Sequence, residues 1–323
     1  MTIRILFLGT GPLALPTFQS LCDASDHELV GLVTQPDRSG RGHHQHRNPL
    51  KDLAIARGLN VLQPDSIKSP ENVERLRDMG ADLFVVAAYG QILSNAVLAV
   101  PRLGTINIHA SLLPKYRGAT PIHAAVLNGD VHAGVTIIEI VQKLDAGPML
   151  GVSTIPILPG ETTGQLEARL AEIAVPLTRR VIDEIAQGVA SRIPQEEAEV
   201  THVRKLSKQD GLVPWSRPAL EVERHVRGMQ PWPGPYSQLN QPDKPPLRLQ
   251  ILSVVLADTE SASTSRNPEL PGTIIEVTSN DFVVQCGEGG AIRVQVIQPD
   301  GKRAMPSSDF LRGRKVNLGD RFE

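Results

Sequence analysis

The sequence predicts an α/β protein in two parts, a Rossmann-like parallel sheet followed by a small OB-like β-barrel. Three observations carry that expectation. Apolar runs alternate with helical patterns through the first half, as in a parallel sheet covered on both faces. Past about residue 190 the runs become short and turn-separated, and 13 of the 26 prolines fall in the last 134 residues, which favours a barrel over helices there. The length of 323 residues suits two domains at roughly 100 to 200 residues each.

Taken in order, residues 3–8 read as the first strand, leading through Gly9-Thr-Gly11-Pro into a helix over about 13–22, and residues 29–34 as the second strand. Further strands are expected at 82–87, 105–109 and 135–141, with helices between them. The last long helical pattern spans 164–188 and ends on Gly188 as a C-cap would, with Pro176 expected to kink or divide it. Barrel strands are expected at 247–256, 272–277, 281–286 and 291–297. These boundaries give a catalytic-type domain over 1–190, a linker over 191–209 and a barrel domain over 210–323.

Composition excludes several function classes. With 33 Lys+Arg against 35 Asp+Glu, the net charge of −2 rules out binding nucleic acid with the whole surface, though a local patch is compatible with it. Six Phe, three Tyr and two Trp are too few for a single-strand stacking platform. The longest interior apolar run, 83–88, falls far short of the roughly 20 residues that span a bilayer, so no membrane span is expected. Cys22 and Cys286 show neither metal nor redox spacing. A cytoplasmic monomer without a metal is the expectation.

Gly9-Thr-Gly11-Pro-Leu-Ala14 matches the dinucleotide-binding fingerprint, with Asp37 placed to hold a ribose. Pro12 argues against that reading, because it offers no N–H where a pyrophosphate needs donors. A tight βα turn that binds no dinucleotide is the alternative, and an oxidoreductase is the less favoured one.

The most informative stretch is TINIHASLLPKYRGATP, residues 105–121. Strand alternation puts Asn107, His109 and Ser111 on one face, and a strand ending at His109 brings them to the carboxyl edge of the sheet, where open α/β folds bind ligands. The competing reading is a satisfied, half-buried histidine. Asp145 sits in the later loop KLDAGPML, and an Asp in a turn is usually an Asx-turn residue. Nothing in composition brings it to His109. A hydrolase using Ser111 as nucleophile is weak, because no G-x-S-x-G elbow surrounds it.

INIHASLLPKYRGATPIHAAVLNGD together with KLDAGPML resembles the folate-dependent formyltransferases. QPDRSGRG, VVAAYGQIL, KLSKQDG and PWPG extend the resemblance over nearly the whole chain, toward the branch of that family that formylates methionyl-initiator tRNA. The resemblance implies a catalytic set of Asn107, His109 and Asp145. It implies folate contacts from Ser111, Leu112, Leu113, Pro114, Gln91 and Leu93, with 10-formyltetrahydrofolate as formyl donor and initiator Met-tRNA as acceptor. A neutral amide such as that of Asn107 suits an oxyanion, and an imidazole suits proton transfer near neutral pH. Arg38, Arg41, Arg47 and Lys51 lie in a 14-residue stretch with no acid, which the resemblance implies is a tRNA-contacting loop. Against the family it resembles, His43, His44 and His46 depart from the commoner Lys-rich loop, and Pro148 stands where many of its members carry an acid. An amino-sugar nucleotide is the alternative acceptor. A basic cluster of Lys302, Arg303, Arg312, Arg314 and Lys315 reads either as a tRNA platform or as a charged surface helix.

Overall fold

The computed structural model describes residues 1–37, 48–242, 244–257 and 270–323. These divide into two compact units, one formed by 1–122, 132–156 and 166–204, the other by 123–131, 157–165 and 205–323.

The first unit contains β1 (Arg4–Gly9), β2 (Glu28–Val33), β3 (Asn60–Leu62), β4 (Leu83–Ala87), β5 (Thr105–His109), β6 (Arg117–Gly118), β7 (His132–Glu139), β8 (Met149–Pro156) and β9 (His202–Val203). Seven of them form one sheet in the order β3-β2-β1-β4-β5-β7-β8, while β6 and β9 pair separately. The central strand β4 reads LFVVA and is buried at every position, as a strand covered on both faces requires. Helices α1 (Leu15–Asp23), α2 (Pro49–Ala56), α3 (Pro70–Asp78) and α4 (Asn95–Leu98) link the parallel strands. Local chemistry sets their starts: Asn48 and Ser69 accept hydrogen bonds from Lys51 N and Asn72 N, and each is followed by a proline.

The sheet is parallel from β3 through β5, but β7 runs antiparallel to β5, with Asn107 opposite Ile138 and His109 opposite Thr136. The strand expected at 135–141 is therefore present but starts earlier and runs the other way. After His109 the chain turns back at the same edge of the sheet instead of crossing to the other end, and only an antiparallel neighbour can be reached like that. Helix α5 (Pro121–Asn128) lies in this return.

Helix α6 (Thr163–Gln187) runs through Pro176 as one element, so the proline does not divide it into two. An internal proline costs about 3 kcal/mol. Buried Leu166, Leu170, Ala174, Leu177, Val181 and Ile185 recur at three- and four-residue spacing along one face. Each large aliphatic among them contributes roughly 1.5–3 kcal/mol, which outweighs the proline. Gly188 follows at φ 74°, as the C-cap pattern predicts.

The second unit contains α7 (Ala219–Gly228), β10 (Tyr236–Gln241), β11 (Lys244–Leu256), β12 (Ile274–Val277), β13 (Phe282–Gln285), β14 (Ala291–Pro299), β15 (Met305–Pro306), α8 (Ser307–Gly313) and β16 (Arg321–Phe322). Its antiparallel sheet has the order β12-β13-β14-β11-β10-β16. The two ends meet: Ile274 N donates to Asp320 O and Phe322 N to Gly272 O, each at 2.8 Å. The result is a nearly closed barrel of five strands and a two-residue closing strand, with the short β15 paired to β14. Phe322 on that short strand stacks on both Trp215 and Phe282 inside. Strand β10 lies in the proline-rich stretch and has no apolar run to announce it. Among the described residues no helix is long and apolar enough to cross a membrane.

Candidate active site

β4 and β5 are adjacent and parallel, so the loops that follow them leave from one edge of the sheet. Asn107 is half-buried on β5, and among the described residues its side-chain amide has no hydrogen-bond partner. A half-buried amide without a partner is available to a ligand.

His109, 5% exposed, closes the strand. Its Nε2 lies 2.8 Å from the carbonyl oxygen of Tyr116. A carbonyl only accepts, so Nε2 carries the proton and the neutral ring leaves its lone pair on Nδ1. That nitrogen faces Asp145 Oδ2 at 3.8 Å, an electrostatic contact longer than a hydrogen bond. The fold thus brings together His109 and Asp145, which the sequence could not connect. Asp145 sits at φ 50°, a region Asp tolerates better than most residues. Its Oδ2 accepts from Gly118 N at 2.8 Å. Gly118 has φ 119°, and a Cβ there would lie 2.1 Å from Val203 O on β9, so only glycine can present that N–H.

The strand ends at His109, and the expected alternation stops with it. Ser111 lies in the turn beyond, where its hydroxyl donates to Lys115 O at 2.6 Å and accepts from Tyr116 N at 3.1 Å. Thr136, opposite His109 on β7, holds the same turn: its hydroxyl donates to Ser111 O at 2.7 Å and accepts from Leu113 N at 3.2 Å. Leu113 is buried, while Leu112 and Pro114 are half-buried. The Leu113–Pro114 and Lys115–Tyr116 peptides are cis. After β4, Gln91 accepts from Ile67 N at 2.9 Å and donates to Pro64 O at 3.0 Å, so its amide ties two loops together. Leu93 packs against the apolar core on that side.

Arg38, Arg41 and Arg47, with His43, His44 and His46, lie outside the described residues. Lys51 is described and ion-paired with Asp37. Hydrogen bonds from Lys51 and then Gln63 hold the Asp37 carboxyl below its ordinary range. Local geometry accounts for both glycines of the dinucleotide-like motif: Gly11 sits at φ 82° in the turn, and a Cβ on Gly9 at the end of β1 would meet the Phe7 ring at 2.5 Å. Among the described residues no three His, Cys, Asp or Glu side chains gather as a metal site.

Two histidines of the second unit have defined settings. His225 is buried on α7, which lowers its basicity. His123 bonds the Trp232 carbonyl at 3.0 Å. In the basic cluster, Arg312 bonds Asp309 on α8 at 2.6 Å and Arg314 bonds Gln241 at 2.8 Å.

Sequence reasoning missed Arg117, Gly118, Thr136 and Gln195 around this site. Gln195 Nε2 donates to the carbonyls of Asp145 and Gly147, at 2.7 and 2.8 Å. Arg117–Gly118 was within the informative stretch, and a glycine beside a cation was its only signal. Thr136 lay in an apolar strand and Gln195 in a polar linker, and neither had a local pattern to mark it.

Residues 3–182 match the formyl transferase family, and residues 205–315 match the formyl transferase C-terminal domain. The chain is 39% identical over 321 residues to the methionyl-tRNA formyltransferase of Agathobacter rectalis, covering 99% of both chains. It is 40% identical over 323 residues to that of Roseiflexus castenholzii, covering 100% of this chain and 99% of the other. In fold it is similar to HypX from Aquifex aeolicus, solved in complex with tetrahydrofolic acid, with a TM-score of 0.61 at 17% identity. That match covers 99% of this chain and 51% of the other, so the chain spans about half the length of HypX.

Proposed function

The chain belongs to the formyl transferase family, and on that premise we propose that it moves the formyl group of 10-formyltetrahydrofolate onto the α-amino group of methionyl-initiator tRNA. Full-length likeness to methionyl-tRNA formyltransferases supports the acceptor. The observation that carries the chemistry is His109, whose Nδ1 is left free by the Tyr116 carbonyl and faces Asp145, on the strand that also presents the Asn107 amide. The reaction takes place in the cytoplasm.

A folate donor fits the residues present. The half-buried Leu112 and Pro114 offer apolar surface on the turn that follows the strand carrying the Asn107 amide, and the donor supplies the formyl carbon. The amine nitrogen bonds to that carbon as the bond from carbon to N10 breaks, with one proton lost by the amine and one gained by N10. Asn107 donates its N–H to the oxyanion that develops on the formyl oxygen, a contribution typically of about 10²- to 10³-fold. His109 accepts the amine proton at Nδ1 and returns it toward the departing nitrogen. Asp145 stabilises the imidazolium in between, since Nδ1–H then points at a carboxylate. An α-amine has an unperturbed pKa of about 7.7–8.0, so enough is neutral near pH 7 to attack directly. Ser111, Leu113, Gln91 and Leu93 act in this scheme by shaping the loops around the folate. Arg38, Arg41, Arg47 and Lys51 act on tRNA phosphates.

The test is to incubate the protein with 10-formyltetrahydrofolate and charged initiator or elongator tRNA, and to follow formyl-methionine. Transfer to the initiator species is expected. Failure there, alongside transfer to an amino-sugar nucleotide, overturns the acceptor.

A further inference from the structure

Asp145 is held from a segment fifty residues later in the chain. Gln195 gives both of its amide hydrogens to the Asp145 loop, to Asp145 O at 2.7 Å and to Gly147 O at 2.8 Å. Its Oε1 accepts from Arg117 Nε at 3.0 Å. The amide orientation is fixed chemically. Reversed, it would set an oxygen against two carbonyls and an NH₂ against a guanidinium. Arg117 is wholly buried and reaches Glu197 at 3.1 Å, and Glu197 also takes Lys143 from the Asp145 loop at 2.9 Å. Arg117 and Gly118 pair with His202 and Val203 as β6 and β9, and Gly118 N holds the Asp145 carboxylate. The segment 195–203 therefore fixes the loop carbonyls through Gln195 and the loop carboxylate through β9 and Gly118.

We infer that Gln195 is a positioning residue for the transfer reaction: by bonding the carbonyls of Asp145 and Gly147 it sets the left-handed backbone at Asp145, and so the direction of the carboxylate toward His109 Nδ1. The segment read from sequence as a linker is in this sense part of the active site. Gln195 touches no reacting atom, and it acts only through Asp145. The inference rests on the role proposed above for Asp145.

Three variants of the full chain test it, each measured for kcat, for KM with both substrates and for thermal unfolding. Gln195→Met keeps the volume and removes both donors. We expect kcat to fall about ten- to a hundredfold, the scale of an angstrom-sized misplacement, with both KM values within about twofold of wild type. Gln195→Glu keeps an acceptor for Arg117 but cannot donate to the two carbonyls, so it should lose kcat as Gln195→Met does. Restoration of kcat by Gln195→Glu would show that Gln195 serves only to satisfy Arg117, and would overturn the inference. So would a wild-type kcat in Gln195→Met, or a loss confined to KM. Asp145→Asn separates the two levels. If it retains wild-type kcat, the proposed mechanism fails. If it is impaired while Gln195→Met is not, the positioning role alone fails.

Discussion

Asn107 and His109 stand on a strand held by ladders on both sides, whereas Asp145 stands on a loop held by side chains and one glycine N–H. The strand residues inherit their geometry from the sheet. β4 fixes the β5 backbone as far as Asn107 and β7 as far as His109, so the direction of each side chain follows from alternation alone. The loop residue inherits nothing, and each constraint on it comes from a separate contact: Gly118 on the carboxylate, Gln195 on the carbonyls, Lys143–Glu197 on the approach. The candidate active site therefore combines a robust part with a part that fails at several independent points.

The comparison predicts different behaviour on substitution. Changes at the strand positions should remove chemistry and leave the fold intact. For His109→Ala we expect a loss of about 10²- to 10⁴-fold in kcat, the range for a general acid–base group. For Asn107→Ala we expect about 10²- to 10³-fold. Circular dichroism of both should match wild type. Wild-type single-turnover rates from either variant would remove it from the mechanism.

Gly118→Ala should act on the loop with no change to any polar side chain. The new Cβ would lie 2.1 Å from Val203 O, at φ 119°, so β6 and β9 must separate. Backbone strain of this kind costs about 1–3 kcal/mol. Separation also moves the N–H that fixes Asp145, so kcat should drop by roughly 100-fold. Thermal melting and steady-state kinetics together check this. A destabilised protein with normal kcat would mean that the Gly118 contact contributes no alignment.

The same contrast explains what was legible in the sequence. β5 was read to the residue, 105–109, because apolar positions alternate with polar ones and the ladder needs no other information. β4 was visible as a continuous apolar run. The antiparallel course of β7 was not visible, because its residues pack as those of a parallel strand would, and direction is set by which edge the connection returns to. β10 was missed because YSQLNQ buries alternate positions with Ser, Leu and Gln, in place of an apolar face. Asp145 could be named only by resemblance, and Gln195 not at all, since their contacts join positions fifty residues apart with no periodicity linking them.

Thr136→Val tests whether a strand can stabilise a loop. Thr136 is fully buried on β7, and its hydroxyl bridges Ser111 O and Leu113 N across the first turn after His109. Valine keeps the shape and leaves both partners unsatisfied, at a cost of about 1–3 kcal/mol. We expect a lower melting temperature and a several-fold rise in KM for the folate, with kcat changed less than in Gly118→Ala. An unchanged folate KM would detach that turn from folate binding.

The smallest effect is expected from Glu197→Gln, and its value lies in its pH dependence. Hydrogen bonds from Lys143 first, and then from Arg117, hold the Glu197 carboxyl below its ordinary range. A carboxyl lowered in the folded state gives stability that is present above its unfolded value, and that stability is lost as pH falls through the lowered folded value. The side chain is exposed, so solvent screens the pair and the loss is modest. Glutamine keeps an acceptor for Arg117 but no charge. At pH 7 the variant should melt slightly earlier than wild type and turn over nearly as fast. On acidification from pH 5 toward 3 the two melting curves should converge, because wild type loses a contribution the variant never had. A gap that stays constant over that range would mean that the Lys143–Glu197 contact adds nothing through its charge, leaving Gln195 and Gly118 to hold the loop.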